Sequence, residues 1–232
     1  MKDLLNTIFI CAVCFFAVHQ NLAQTSDAKL SSPVTLSLST EAVNAGIGGR
    51  VSVAVKVDAE GKVKDARMLG GPSWPCGTSP DSLLDEVRKM AAANIKQAIF
   101  TPAMKQGKAV RSDLVIYLDL DRIHRETEKR RAENAGESRP RWPIVGGVLN
   151  GKAKALPRPE YPAGARSMRI TGPVTVHVLI GTDGMVKSAG TLTGHPQLAD
   201  SARDAACAAR FAPTTLEGKP IEVTGVLTYT FN

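Results

Sequence analysis

Gly172-Pro173-Val174-Thr175-Val176-His177-Val178-Leu179-Ile180 is the stretch whose reading decides the fold. Its branched residues at 174, 176, 178 and 180 alternate with 175, 177 and 179, the two-residue period of a strand with one buried face. Thr182-Asp183-Gly184 then turns the chain, Gly184 supplying the positive φ of a tight hairpin, and a second strand is expected over 185–192. Gly194-His195-Pro196 ends that strand, and Pro196 suits the first helical position, where a missing N–H costs nothing. A helix is expected over 198–210, with Leu198, Ala202, Ala205 and Ala209 on one stripe small enough to lie close on a sheet. Phe211-Ala212-Pro213 stops it, Gly218-Lys219 turns, and 221–231 makes a closing strand. This order is a split β-β-α-β unit, an α+β module with its helix packed on one face of a small antiparallel sheet. A right-handed crossover sets the closing strand antiparallel beside the first, at a sheet edge.

The unit occurs twice. Gly49-Arg50-Val51-Ser52-Val53-Ala54-Val55-Lys56-Val57 repeats the alternation of 172–180, and Gly61 stands in its turn as Gly184 does. Gly71 corresponds to Gly194, Phe100-Thr101-Pro102 to Phe211-Ala212-Pro213, and Gly107-Lys108 to Gly218-Lys219, before a closing strand over 110–120. The first copy's helix carries Leu84, Val87, Ala91, Ile95 and Ala98 on one stripe. The spacing between copies changes at one insertion in copy one, Pro72-Ser73-Trp74-Pro75-Cys76-Gly77-Thr78-Ser79-Pro80-Asp81-Ser82-Leu83. Its prolines and glycine make a loop, and Ser79-Pro80 reads as an N-cap with proline at the first helical position. The expected organisation is an export signal over 1–23, a degenerate module over 43–120, a basic linker over 121–159 and a second module over 160–232.

The first segment has Lys2 and then an apolar run over 8–18, the length of a signal h-region (roughly 7–15 residues) and short of a spanning helix (roughly 20). Cleavage is expected near Ala23, with an uncleaved inner-membrane anchor as the alternative. Neither Cys11 nor Cys14 follows the small residues of a lipoprotein site. The linker opens with Arg122-Ile123-His124-Arg125-Glu126-Thr127-Glu128-Lys129-Arg130-Arg131, where Glu126 and Arg130 fit a short solvated helix and the basic charge offers contact with an acidic envelope surface. Pro140, Trp142, Pro143, Gly146 and Gly147 favour extended chain after it. The net charge of +7 suits anionic lipid, cell-wall polymer or nucleic acid, but 5% aromatic residues give no base-stacking platform, so nucleic-acid binding is not expected.

Catalytic and metal signals are lacking. Of His124, His177 and His195, the last two have no cysteine or carboxylate at ligand spacing, no Gly-x-Ser-x-Gly elbow is present, and the glycines belong to turns rather than to a phosphate loop. No cofactor, metal or catalytic residue is expected, and nothing specifies an oligomeric state.

Tyr161-Pro162, Gly172-x-Val174, Asp183-Gly184-x-Val186, Gly194-His195-Pro196, Phe211-x-Pro213 and Gly218-Lys219-Pro220 together resemble the C-terminal domain of TonB, the periplasmic energy transducer. The resemblance covers the last third of the chain in consistent order, and copy one lacks the Tyr-Pro opening. Where the family usually has a tryptophan two residues before the aromatic that ends the helix, this chain has Ala209. The segment Val145-Gly146-Gly147-Val148-Leu149-Asn150-Gly151-Lys152-Ala153 resembles a lead-in found before such modules in some bacterial secreted proteins.

The resemblance implies a periplasmic protein whose closing strand pairs with a short peptide of an outer-membrane receptor. The peptide-binding residues would be Val223, Thr224, Gly225, Val226, Leu227, Thr228 and Tyr229, with Gly225 easing close approach. The alternative is an interaction or structural module that keeps the fold and transmits no force. A family energy transducer needs an anchor and a long spacer, so the expected cleavable signal favours a non-autonomous role.

Cys76 and Cys207 are the cysteines left once 1–23 is removed, and an oxidising compartment favours a bridge. Cys207 lies nine positions after Leu198, which at about 100° per residue points it away from the apolar stripe, towards Asp200 and Arg203. A Cys76–Cys207 disulfide between modules is a candidate, beside two reduced thiols or an intermolecular bridge.

Overall fold

The computed structural model describes residues 25–31, 34, 36, 38–122, 125, 129, 133–136 and 143–232. The expected export signal, most of the expected linker helix, His124, Pro140 and Trp142 lie outside the described residues.

Module one contains helix α1 (Thr40–Asn44), strands β1 (Arg50–Val57) and β2 (Val63–Gly70), a two-residue strand β3 (Trp74–Pro75), helix α2 (Asp81–Lys96) and the closing strand β4 (Ser112–Asp119). Its sheet runs β2-β1-β4, all antiparallel. Val51, Val53, Val55 and Val57 face α2, where they meet Leu84, Val87, Ala91 and Ile95 in one core. Helix α2 begins one residue later than the spacing suggests. Pro80 is its N-cap and makes no side-chain cap bond, because Ser79 sits one position too early.

Module two is preceded by strand β5 (Ile144–Val148) and contains helix α3 (Ala163–Ser167), strands β6 (Gly172–Ile180) and β7 (Val186–Thr193), helix α4 (Pro196–Cys207) and the closing strand β8 (Val223–Phe231). Val174, Val176, Val178, Leu227 and Tyr229 pack against Leu198, Ala202, Ala205, Ala206 and Ala209. Small side chains along α4 let it lie close on the sheet. The helix is shorter than expected, because Arg210 and Phe211 leave it to pair with residues 153–155. His195 caps its start, Nδ1 accepting from the Gln197 N–H at 3.2 Å.

The closing strand β8 is antiparallel to β6 along its whole length, from Gly172 opposite Phe231 to Ile180 opposite Val223. It is not an edge strand, contrary to the sequence expectation. The five-stranded sheet runs β3-β7-β6-β8-β5, so the outermost positions belong to β3, from the insertion of copy one, and β5, from the linker. A strand's unpaired N–H and C=O groups are satisfied by whatever extended chain lies within reach, and both sides of this sheet have found such chain in the same molecule.

Candidate functional site: the closing strand and its added segment

Strand β5 adds to β8 in parallel, with Ile144 opposite Val223, Val145 opposite Thr224 and, after an irregularity, Val148 opposite Val226. The Ile144 N–H donates to Glu222 O at 3.0 Å and the Leu149 N–H to Val226 O at 2.9 Å. Asn150 continues the pairing with its side chain. Its amide donates to Thr228 O at 2.7 Å, and its amide oxygen accepts from the Thr228 N–H at 2.9 Å. Glu222, just before β8, and Val226 and Thr228 within it therefore turn their backbone groups to this segment.

Of the seven residues named from the family resemblance, Val223, Leu227 and Tyr229 are buried side chains that face the core with Gly225, while Thr224, Val226 and Thr228 alternate onto the opposite face. Burial pushes the Tyr229 hydroxyl up to about 12, so the ring is a core element. Gly225 answers to the added segment, where both the Gly147 carbonyl and Leu149 come close. A Cβ there would lie 2.4 Å from Leu149 Cδ1, an impossible approach, so the absent side chain makes the notch that Leu149 enters. Leu149 is 3% exposed and belongs to the core of module two, whereas Val145 and Val148 are 68% and 66% exposed. Burying one leucine is worth about 2 kcal/mol, which makes Leu149 the side-chain anchor of the segment. In module one, Leu114 stands opposite Val55 as Gly225 stands opposite Val178, and among the described residues no strand adds to β4 beyond it.

The family-motif residues hold this strand in place. Tyr161 donates its hydroxyl to Ile170 O at 2.7 Å and meets the Phe231 ring edge-on at 5.6 Å, and Pro162 caps α3. Gly184 closes the β6–β7 turn with φ +80° and Gly218 the later hairpin with φ +75°. Gly172 and Gly194 have φ of 122° and 134°, Phe211 is buried and Pro213 is exposed.

The opposite edge is closed by the insertion. Trp74 and Pro75 pair with Ala189 and Ser188, and the Cys76 N–H donates to Lys187 O at 2.9 Å. Arg203, 6% exposed, donates from Nε to Ala189 O (3.1 Å) and from Nη2 to Trp74 O (3.2 Å) and Pro75 O (3.0 Å). Its guanidinium lies 3.8 Å from the Trp74 ring centroid, a desolvated cation–π contact. Burial lowers its pKa, which Asp204 and Asp200 oppose. Cys76 and Cys207 form a disulfide with Cα atoms 5.7 Å apart. The backbones cross closely beside it, where a Cβ on Gly190 would lie 2.4 Å from Pro72 O. Sequence reasoning missed Arg203. The available signal was Cys207 four residues on, a cysteine on a helix face that looked solvated.

His177 alternates away from α4 and was expected to face outward, yet it is 7% exposed. The outer face of the sheet is covered by module one, and Ser73 Oγ lies 3.2 Å from His177 Nδ1. Desolvation, reinforced by the Arg50 charge and opposed by Asp119, lowers its pKa to about 4. Ser52 Oγ donates to Leu192 O across the same interface. Among the described residues no group of histidine, cysteine, aspartate and glutamate side chains is placed to hold a metal ion, and no helix is long and apolar enough to cross a membrane.

Two small split β-β-α-β modules, with two extended segments of the same chain added at the outer positions of one sheet, define the class of fold. The sequence profile of the Gram-negative bacterial TonB protein C-terminal family matches residues 35–118 and 157–232, and the chain belongs to that family. Among solved structures it is similar to the solution NMR structure of the Pseudomonas aeruginosa TonB CTD, with 27% identity over 37% of this chain and 92% of that one and a TM-score of 0.32. No curated protein matches it.

Proposed function

We propose that the chain is an exported periplasmic protein that captures an extended segment of a protein partner by β-strand addition and takes part in transport across the outer membrane. The carrying observation is the addition of residues 144–148 to β8, which supports β8 as a strand able to accept a parallel partner. Family membership supports the compartment and the transport process, and an outer-membrane receptor peptide fits as the partner. No catalysis enters this function. A photo-crosslinking residue in place of Thr228, which is exposed on β8, is the test in living cells. An adduct with an outer-membrane protein is the expected result, and adducts confined to the chain itself would overturn the reading.

One observation favours a second reading, a structural or interaction module that transmits no force. Both edges of the module-two sheet are already covered by the chain's own segments. Under that reading Thr228 yields no outer-membrane adduct, while the protein still crosslinks through other surfaces such as exposed Tyr117 on β4.

A further inference from the structure

We propose that Gly225 forms a leucine-reading notch, filled by Leu149 in the resting protein, and that the partner's segment enters by exchange, bringing an aliphatic side chain to the same place. The proposal rests on β8 being the partner's strand and adds the feature that selects the partner. Residues 144–148 are held mainly by backbone pairing: Ile144, Val145 and Val148 are 42%, 68% and 66% exposed. Leu149 alone of the hydrophobic residues in this segment enters the core, through the gap left by the missing Cβ of Gly225. The repeat supplies an internal comparison. Where copy one carries Leu114 at the corresponding place, its strand fills its own core and no described strand is added; where copy two carries glycine, a leucine arrives from another segment.

The exchange has a simple physical logic. An incoming extended segment replaces the backbone hydrogen bonds of 144–149 one for one, so backbone pairing alone gives it no advantage and no sequence preference. Core volume does discriminate. A segment bearing leucine over Gly225 restores the packing that Leu149 vacates, and one bearing alanine leaves a cavity against Leu227 and the α4 stripe. The Asn150 side chain, bonded to both backbone groups of Thr228, fixes the register that puts the leucine over the notch. The partner is therefore an extended, parallel segment with a leucine-like residue, followed in the best case by an amide or another group that pairs with Thr228.

The test uses the full chain carrying Leu149→Ala, which leaves the notch vacant, and two labelled synthetic peptides. One has the sequence of residues 143–152, and the other is the same peptide with Leu149→Ala. The leucine peptide is expected to bind this variant about 30-fold or more tightly than the alanine peptide, and to bind the wild-type chain more weakly because its own segment competes. A second variant, Gly225→Leu, rebuilds the arrangement of Leu114. It is expected to keep its circular dichroism, to lose hydrogen-exchange protection over 144–149, and to bind the two peptides without preference. Equal binding of both peptides to folded Leu149→Ala protein, or binding of neither, overturns the proposal. Retained protection over 144–149 in Gly225→Leu does the same, and decides alone if the first variant does not fold. Peptide discrimination without an outer-membrane adduct at Thr228 leaves the notch standing and removes the proposed function; an adduct without discrimination does the reverse.

Discussion

His177 and Arg203 show how single residues weld the two modules. The imidazole is neutral and nearly enclosed, with Ser73 Oγ on Nδ1 and Arg50 and Asp119 as its charged neighbours. Its folded pKa is lowered from 6.5 to about 4, so between those values the unfolded chain binds the proton and the folded chain does not. The contribution to stability is complete above pH 6.5, is lost progressively as pH falls towards 4, and is constant below. At pH 5 the loss is about 2 kcal/mol relative to pH 7.5. Urea unfolding at the two pH values should show it, and His177→Asn should flatten the difference; an equal loss in the variant would assign the pH dependence to other groups. Arg203 faces three backbone carbonyls, at Ala189, Trp74 and Pro75. Arg203→Ala removes the donor these carbonyls share, leaving Pro75 O its bond from the Thr78 hydroxyl, and removes the stack on Trp74, at a cost of about 3 kcal/mol in the same measurement. A loss below about 1 kcal/mol would mean that water replaces the guanidinium at little cost.

At the scale of elements, β8 and β5 behave as a pair that one substitution separates. Val226 turns its carbonyl to Leu149, and its N–H points the same way, so Val226→Pro removes a donor on the β5 side and spares the pairing with β6. Hydrogen exchange should show 144–149 released while 172–180 stays protected, and partner binding should be lost. Loss of protection over 172–180 would show that β8 tolerates no proline on either side. Asn150→Ala removes two backbone contacts at Thr228 and should destabilise the segment by about 1–2 kcal/mol, measured by the same exchange. What the sequence revealed and what it hid divide along one physical line. Alternation at 172–180, the Gly184 turn and the alanine stripe of α4 are local patterns, and each element they imply is present. Residues 144–148 carry two glycines and no alternation, so their strand exists only because β8 offers unpaired groups. Trp74–Pro75 is a two-residue strand for the same reason, made by the edge of β7 rather than by its own propensity. Leu149 and Gly225 lie far apart in sequence, and their complementarity appears only when the two segments are side by side.

For the whole molecule, the consequence is a chain closed on itself between two modules. The Cys76–Cys207 bridge spans 131 residues of sequence and includes the basic linker in its loop. Closing so long a loop stabilises the folded state by up to about 5 kcal/mol, and the Arg203 clamp and the β3–β7 pairing act in parallel with it. The modules should therefore stay together after the linker is cut. Limited trypsin digestion is expected to cleave first within 122–141, where the basic residues cluster between the modules. On a denaturing gel the nicked protein should run as one band without reductant and as two with it, and non-reducing peptide mapping should recover the 76–207 linked pair. Gel filtration under native conditions with reductant should still give one peak, because the pairing of β3 and the Arg203 contacts do not depend on the sulfurs. Alkylation of both Cys76 and Cys207 in the untreated protein would remove the bridge, and separation of the reduced fragments on the column would show that the disulfide alone joins the modules.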